Sequence, residues 1–126
     1  SDAPLLITEQ VTMLAHITSV FGVPVDKAIL TTIGSSLFGS GAATVAGKTI
    51  VSNLLKLIPG VGWIVGGFIS GTTAAILTAS MAEAYIKLMV KMAESGDIKR
   101  FNENQKMFDE LGEMFQKELA KGTKTV

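Results

Sequence analysis

The chain has 126 residues, no cysteine, and a net charge of zero from eleven basic and eleven acidic side chains. This length suits one domain with its own core, and the lack of cysteine excludes disulfides and cysteine-based zinc sites. The balanced charge provides no field for a nucleic-acid partner, while a mean hydropathy of +0.43 keeps a membrane-associated class in consideration.

The first two predicted elements are helices. Pro4 suits the opening turn of the first helix, and Gly22-Val23-Pro24 should end it, because proline disfavours the helical conformation of the residue before it. The second helix is expected to begin near Asp26 and to run to about Phe38. The apolar side chains at helical spacing in the first helix are Leu6, Met13, Leu14, Ile17, Val20 and Phe21.

The middle of the chain is almost without charge. Between Lys27 and Glu83 only two side chains are charged, and nine of the thirteen glycines fall in this stretch. A helix that faces water normally carries polar and charged side chains on one face, so this region must contact protein, lipid or both. Ala28–Gly47 and Leu57–Ala82 are long enough to span a bilayer, although their many small residues give only a modest hydrophobic drive.

A hairpin is predicted within this region. The segment Ala42–Ile58 should be helical, the turn Pro59–Gly62 should reverse the chain, and a long helix should run from Trp63 to Glu94 or Ser95, with Gly96 as its C′ residue. Glycines in these segments would let the helix backbones approach closely. The predicted hairpin-packing residues are Gly60, Gly62, Gly66, Gly67 and Gly71.

The last thirty residues are far more densely charged than the rest. The composition therefore predicts a hydrophobic helical unit over residues 1–96 and an amphipathic helix with a frayed tail over residues 97–126, the helix being capped by Asp97 and ending before Gly122. Its aromatic and methionine side chains recur every seven residues, the spacing of a helix-packing seam. Docking within the chain is favoured over docking on another subunit. The predicted interaction stripe is Phe101, Phe108, Phe115, Met107 and Met114.

Candidate chemical sites are weak. Gly47-Lys48-Thr49 lacks the glycine that a phosphate-binding loop requires at the position of Ala42, and His16 is the single histidine, so metal binding is not expected. Glu83 and Lys87 could form an ion pair within one helix or a polar edge at a membrane interface. No catalytic residue, cofactor-binding residue or metal ligand is assigned, and an enzyme is not expected.

Several short segments of the chain together carry a family resemblance. They are Asp2–Leu6, Met13-Leu14, Phe21-Gly22, Leu54–Gly62, Gly66-Gly67, Ala74-Ala75 and Ala82–Ile86. These segments resemble a bacterial domain of unknown function that follows Era-like small GTPase domains and occurs in YcjF-type inner-membrane proteins, and the match covers about residues 2–90. This resemblance implies a helical, membrane-linked module that works beside a GTPase, with no catalytic residues of its own.

The sequence therefore predicts an all-α fold, a glycine-rich helical hairpin or bundle of about four to five helices with a C-terminal amphipathic helix. Its predicted function is that of a non-catalytic accessory domain beside a GTPase domain in the same or a partner protein, associating with membrane or assembling through the Ala28–Ala82 hairpin in the bacterial cytoplasm or at the inner membrane. The alternative is a soluble helical homo-oligomerisation module. Because the chain begins at Ser1, it is expected to be a piece of a longer protein.

Overall fold

The computed structural model describes residues 3–38, 71–98 and 107–124. These residues form four α-helices and no strand, which confirms the predicted all-α class. The helices are α1, Ala3–Val20; α2, Lys27–Phe38; α3, Gly71–Ser95; and α4, Met107–Lys124. The predicted helix Ala42–Ile58, the turn Pro59–Gly62 and the start of the long helix at Trp63 lie outside the described residues.

Three predicted helix boundaries are confirmed by their local geometry. Gly22 adopts φ +75°, and the amides of Gly22 and Val23 donate to the carbonyls of Ser19 and Thr18, which is the Schellman arrangement that closes a helix. The Asp26 carboxylate accepts hydrogen bonds from the first free amides of α2. Gly96 follows α3 with φ +82° and is the predicted C′ residue.

The helices are arranged around α3. The contacts of Gln10 with Thr78 and of Thr18 with Tyr85 advance together along both chains, so α1 and α3 run parallel. By contrast α4 runs antiparallel to α3, because an early α4 residue pairs with a late α3 residue. The remaining helix, α2, packs against α1, to which a short turn connects it.

One hydrophobic core joins all four helices. Fourteen apolar side chains are buried in it, and α3 supplies eight of them. To this core α1 contributes Leu14, α2 contributes two aliphatic side chains, and α4 contributes three large side chains. The core residues are Leu14, Leu30, Ile33, Ala74, Leu77, Met81, Ala84, Tyr85, Leu88, Met89, Met92, Leu111, Phe115 and Leu119.

Two details of the sequence prediction are wrong. Val20 was expected on the apolar face of α1, yet it is 73% exposed, because it lies about 120° around the helix from Leu14, past the arc that α2 and α3 cover. The last helix was expected to end before Gly122, but it continues to Lys124. Gly122 lies against α3, where an added Cβ would be 3.6 Å from both Ile76 and Ser80, so packing holds this last turn in helical form.

Candidate functional site

The predicted hairpin glycines are only partly within the described chain. Gly60, Gly62, Gly66 and Gly67 lie outside it. Gly71 is the first residue of α3 and is exposed, and a Cβ added there would meet no described atom within 4 Å. Their role in packing therefore stays a prediction.

A close approach between helices occurs at a glycine that the sequence analysis did not single out. Gly34 of α2 is buried against α1, and a Cβ added to it would be 3.3 Å from the Cγ2 atom of Val11 and 3.5 Å from that of Ile7. Such a distance is tighter than ordinary van der Waals contact, so a larger side chain would force α1 and α2 apart. Gly34 is thus a small-residue contact of the kind that the glycine content predicted.

The predicted interaction stripe of the last helix faces the chain's own core where its side chains are described. Phe115 is fully buried and Met114 packs against the core cluster. Phe101 lies outside the described residues, as do the side chains of Met107 and Phe108. At Phe115, therefore, the apolar face is used within the chain.

Two polar contacts lie inside the interface of α1 and α3. The Nε2 atom of Gln10 donates to the Oγ1 atom of Thr78 at 2.8 Å. Further along, the hydroxyl groups of Thr18 and Tyr85 are 2.7 Å apart, and Thr18 also donates to the Leu14 carbonyl at 2.6 Å. A hydroxyl group has one proton to donate, and that of Thr18 is donated to the Leu14 carbonyl, so in the second contact Tyr85 is the donor and Thr18 the acceptor. Burial raises the pKa of Tyr85 to about 12.

Gln10 is fully buried and is not fully satisfied. Its Oε1 atom has no hydrogen-bond partner among the described residues. A buried carbonyl without a partner costs about 1–3 kcal/mol. The residue therefore specifies the register of α1 on α3 through its bond to Thr78, while it lowers the stability that an apolar residue of similar size would give.

Ion pairs connect the outer faces of α3 and α4. The Nζ atom of Lys87 lies 2.5 Å from the Oε1 atom of Glu118, which also accepts from Lys121, and Lys91 pairs with Glu110. The sequence suggested Glu83 as the partner of Lys87, but the antiparallel packing of α4 brings Glu118 closer. The hydrogen bond from Lys87 lowers the pKa of Glu118, and the same contact raises the pKa of Lys87.

His16 lies on the exposed side of α1 beside a shallow, solvent-open depression of about 480 Å³ that Thr8, Glu9 and Thr12 help to line. Across residues 3–38, 71–98 and 107–124, no group of three or more histidine, aspartate or glutamate side chains is placed to hold a metal ion. The depression offers a single imidazole and a single carboxylate, which is fewer ligands than a zinc site uses.

One side of α3 is left uncovered by the other described helices. Contacts with α1 and α4 occupy other sides of α3, and this side carries exposed apolar residues. Ile86 and Val90 are 39% and 40% exposed on this face, and Ala75, Ala79 and Ala93 are exposed with them. We call the surface formed by Ala75, Ala79, Ile86, Val90 and Ala93 the open face of α3.

Sequence reasoning missed the buried polar residues. Gln10 and Thr18 lie four residues before and after Leu14, so the helical period alone placed them on the buried side of α1. They were passed over because polar residue types are expected outside. Their partners come from α3, which is distant in sequence, and no local signal identifies such a pair.

Comparison with known proteins finds a similarity over part of the chain. Over 86 residues, which are 68% of this chain, the sequence is 26% identical to Magnetosome membrane protein 22 of Magnetospirillum gryphiswaldense. The aligned part is 44% of that protein, so the chain spans less than half the length of the curated relative it matches. No protein-family model matches the chain, and no solved structure matches it.

None of the helices in the described ranges is both long enough and apolar enough to cross a membrane.

Proposed function

We propose that this chain is a non-catalytic accessory domain that attaches a protein to a membrane. The observation that carries the proposal is the similarity to a magnetosome membrane protein over 68% of the chain. The charge-poor sequence Ala28–Ala82 supports it, because a stretch of this length with two lysines has little affinity for water.

The described helices suggest which part of that sequence meets the membrane. Leu30 and Ile33 of α2 and Leu77 of α3 are buried in the chain's own core. We therefore assign the membrane contact to the sequence between α2 and α3, residues 39–70. The described helices then act as a base from which this segment is presented.

Flotation of the chain with phosphatidylcholine and phosphatidylglycerol vesicles tests the proposal. The wild-type chain is expected to float. Ile69→Arg places a charge in the apolar run, and a charge within a bilayer costs up to roughly 2.5–3.5 kcal/mol on insertion scales, so the affinity for vesicles should fall by up to the order of a hundredfold. Val20→Arg is the matched control, since Val20 is exposed and lies outside the run. A folded wild-type chain that stays at the bottom of the gradient would contradict the proposal.

The proposal includes a GTPase beside this domain, on the strength of the resemblance to YcjF-type proteins. A GTPase would supply the nucleotide-dependent switch, and this domain would supply the location. Affinity purification of the tagged protein from its own cells, followed by mass spectrometry, should identify a protein with a complete phosphate-binding loop. Retention of that protein should differ between GTP-loaded and GDP-loaded samples. Absence of any GTP-binding protein from the bound fraction, or equal retention in both states, would remove the GTPase from the proposal.

A soluble homo-oligomerisation module is the second candidate. The observation in its favour is the open face of α3, where two branched apolar side chains are exposed. Vesicle binding distinguishes the two candidates, because self-association through α3 needs no lipid.

A further inference from the structure

We propose that the last two turns of α4 bind the anionic headgroups of the membrane to which the chain attaches, through Lys117 and Lys121. This inference rests on the proposed membrane attachment and adds to it a lipid class, a binding surface and an orientation of the helices. It follows from the places where the described helices begin and end, and from the charges at one end of the bundle.

The starts of α1 and α3 and the end of α2 lie at the same end of the bundle. Gln10 of α1 bonds to Thr78 of α3, and each of these helices begins seven residues before that contact, so their first residues lie at about the same level. Gly34 of α2 lies against Ile7 and Val11 of α1. After the turn that follows α1, α2 returns alongside it and ends four residues beyond Gly34, close to that level.

The end of α4 lies at this end of the bundle as well. A Cβ added to Gly122 would be 3.6 Å from both Ile76 and Ser80, in the early turns of α3, and α4 continues from there to Lys124. The segment 39–70, to which we assign the membrane contact, is attached to the end of α2 and to the start of α3. The last turns of α4 therefore lie at the same end of the bundle as both attachment points of that segment.

The charge of α4 changes sign along its length. Its first half contains three carboxylates and no lysine, whereas its last two turns contain three lysines and one carboxylate. Lys117 and Lys121 are exposed and four residues apart, so they share one side of the helix. The carboxylate, Glu118, is 11% exposed and is bonded by Lys87 as well as by Lys121, so it does not cancel the positive charge of these turns.

The neighbouring helices add little negative charge at this end. Within two turns of it, the described parts of α1, α2 and α3 carry a single charged side chain, Glu9. An exposed lysine close to an anionic leaflet strengthens membrane binding roughly fivefold, and its apolar stem can lie along the protein while the ammonium group reaches the phosphates. Anionic phospholipid is thus the lipid class that this end of the bundle fits.

Flotation on two kinds of vesicle tests the lipid class, one of phosphatidylcholine alone and one that also contains phosphatidylglycerol. The double variant Lys117→Gln/Lys121→Gln should bind the anionic vesicles roughly tenfold to thirtyfold more weakly than the wild type and the neutral vesicles equally well. High salt should reduce the difference on anionic vesicles. The matched control is Lys27→Gln/Lys91→Gln, which removes two exposed lysines at the opposite end of the bundle.

The two lysine pairs are matched in a second respect. Within the described ranges, one member of each pair forms an ion pair, Lys121 with Glu118 and Lys91 with Glu110, and the other member does not. The total charge removed is the same in both double variants. A difference between them therefore reports the position of the lysines.

A fluorescence measurement tests the orientation without changing a charge. The chain contains no cysteine, so Leu5→Cys and Val20→Cys can each carry one polarity-sensitive dye. Leu5 is 50% exposed near the start of α1 and Val20 is 73% exposed at its end. The dye at residue 5 should shift its emission to the blue on anionic vesicles, whereas the dye at residue 20 should not. Equal shifts, or a shift at residue 20 alone, would contradict the orientation.

The remaining outcomes separate this inference from the proposal on which it rests. Equal weakening by the two lysine pairs would mean that only total charge matters and would overturn it. Wild-type binding to both kinds of vesicle, with no loss in Lys117→Gln/Lys121→Gln, would overturn it and leave the membrane attachment standing. A lower melting temperature of that variant with unchanged vesicle affinity would mean that the lysines only complement the helix dipole. A folded wild-type chain that binds neither vesicle would remove both proposals.

Discussion

The hydroxyl groups of Thr18 and Tyr85 lie 2.7 Å apart in the protein interior, although 67 residues separate them in the chain. Tyr85 donates a hydrogen bond to Thr18, and Thr18 donates one to the carbonyl oxygen of Leu14 one turn earlier in α1. A buried chain of this kind is satisfied at one relative position of the two helices. It therefore fixes how α1 lies along α3, the helix that carries both the core and the open face.

Tyr85→Phe should lower the free energy of unfolding by about 1 kcal/mol at neutral pH, because one buried hydrogen bond is lost and nothing else changes in shape. Urea unfolding of the variant, of Thr18→Val and of the double variant measures the coupling between the two hydroxyls. Additive losses would mean that the contact contributes nothing to stability.

Alkaline pH gives the same contact a second test. Burial raises the pKa of Tyr85 from 10.0 to about 12 in the folded protein. The contribution of the neutral Tyr85 phenol to the free energy of unfolding is therefore fully present below pH 10. It is lost between about pH 10 and pH 12, because the unfolded chain releases the phenol proton at a lower pH than the folded protein does. Tyr85 is the single tyrosine, so ultraviolet titration of tyrosinate reports its pKa directly. Titration near pH 10 in the folded protein would contradict the buried position.

Gln10→Met should leave the protein as stable as the wild type or raise the free energy of unfolding by up to about 1 kcal/mol. The substitution keeps the volume, which cores tolerate well. It removes the Oε1 atom that has no described partner, which is favourable, and the hydrogen bond to the part-buried Thr78, which offsets that gain. Gln10→Ala is the contrasting variant, expected to lower stability because it leaves a cavity. Chemical denaturation of both separates the effects. A large loss for Gln10→Met would show that the amide has a second partner.

Three helix boundaries were predicted correctly from local chemistry, whereas the end of the last helix at Gly122 and the partners of interior residues were not. Gly22, Asp26 and Gly96 act through their own backbone or through amides two or three residues away, so their neighbours in sequence determine the outcome. Gln10 and Gly34 depend instead on contacts with a second helix, and for Gln10 the partner, Thr78, lies 68 residues away in the chain. The residue type at a position indicates whether that position is buried, but it does not indicate which helix packs against it.

The prediction for the last helix, whose apolar stripe could dock within the chain or on another subunit, shows the same limit. A seven-residue spacing indicates that Phe115 packs on a helix, and the structure supplies α3 of the same chain as that helix. The spacing is equally compatible with a partner subunit, because both kinds of contact use the same apolar period. Only the three-dimensional position of α4 distinguishes them.

Gly34→Leu should lower the free energy of unfolding by about 1–3 kcal/mol, because even a Cβ at this position approaches Val11 to 3.3 Å. Gly71→Leu is the control, since a Cβ there meets no described atom within 4 Å, and a surface substitution usually changes stability by less than about 0.5 kcal/mol. Thermal melts compare the two. Gly67→Leu, measured in the same way, tests the packing predicted for the hairpin, and we expect a loss of stability like that of Gly34→Leu.

Glu118→Gln should destabilise the contact between α3 and α4 at neutral pH. Lys87 lowers the pKa of Glu118 below its ordinary value of 4.5, so the stabilisation is present above pH 4.5 and is lost as the pH falls through the lowered value. The wild type should therefore lose more stability in acid than the variant does, and salt should reduce the difference between them. Glu113→Gln on the exposed side of α4 is the control. Identical acid transitions for Glu118→Gln and wild type would contradict a role for the ion pair.

Phe115→Ala tests whether α4 belongs to the core of this chain. The side chain is fully buried among residues of α3, and truncating a buried phenylalanine costs about 3–5 kcal/mol. Most small domains have a stability of only about 5–15 kcal/mol, so this variant should melt at a much lower temperature than Lys117→Ala, an exposed control two residues away. A wild-type melting temperature for Phe115→Ala, with oligomerisation lost in sedimentation, would assign Phe115 to a subunit interface. Both properties unchanged would contradict the burial itself.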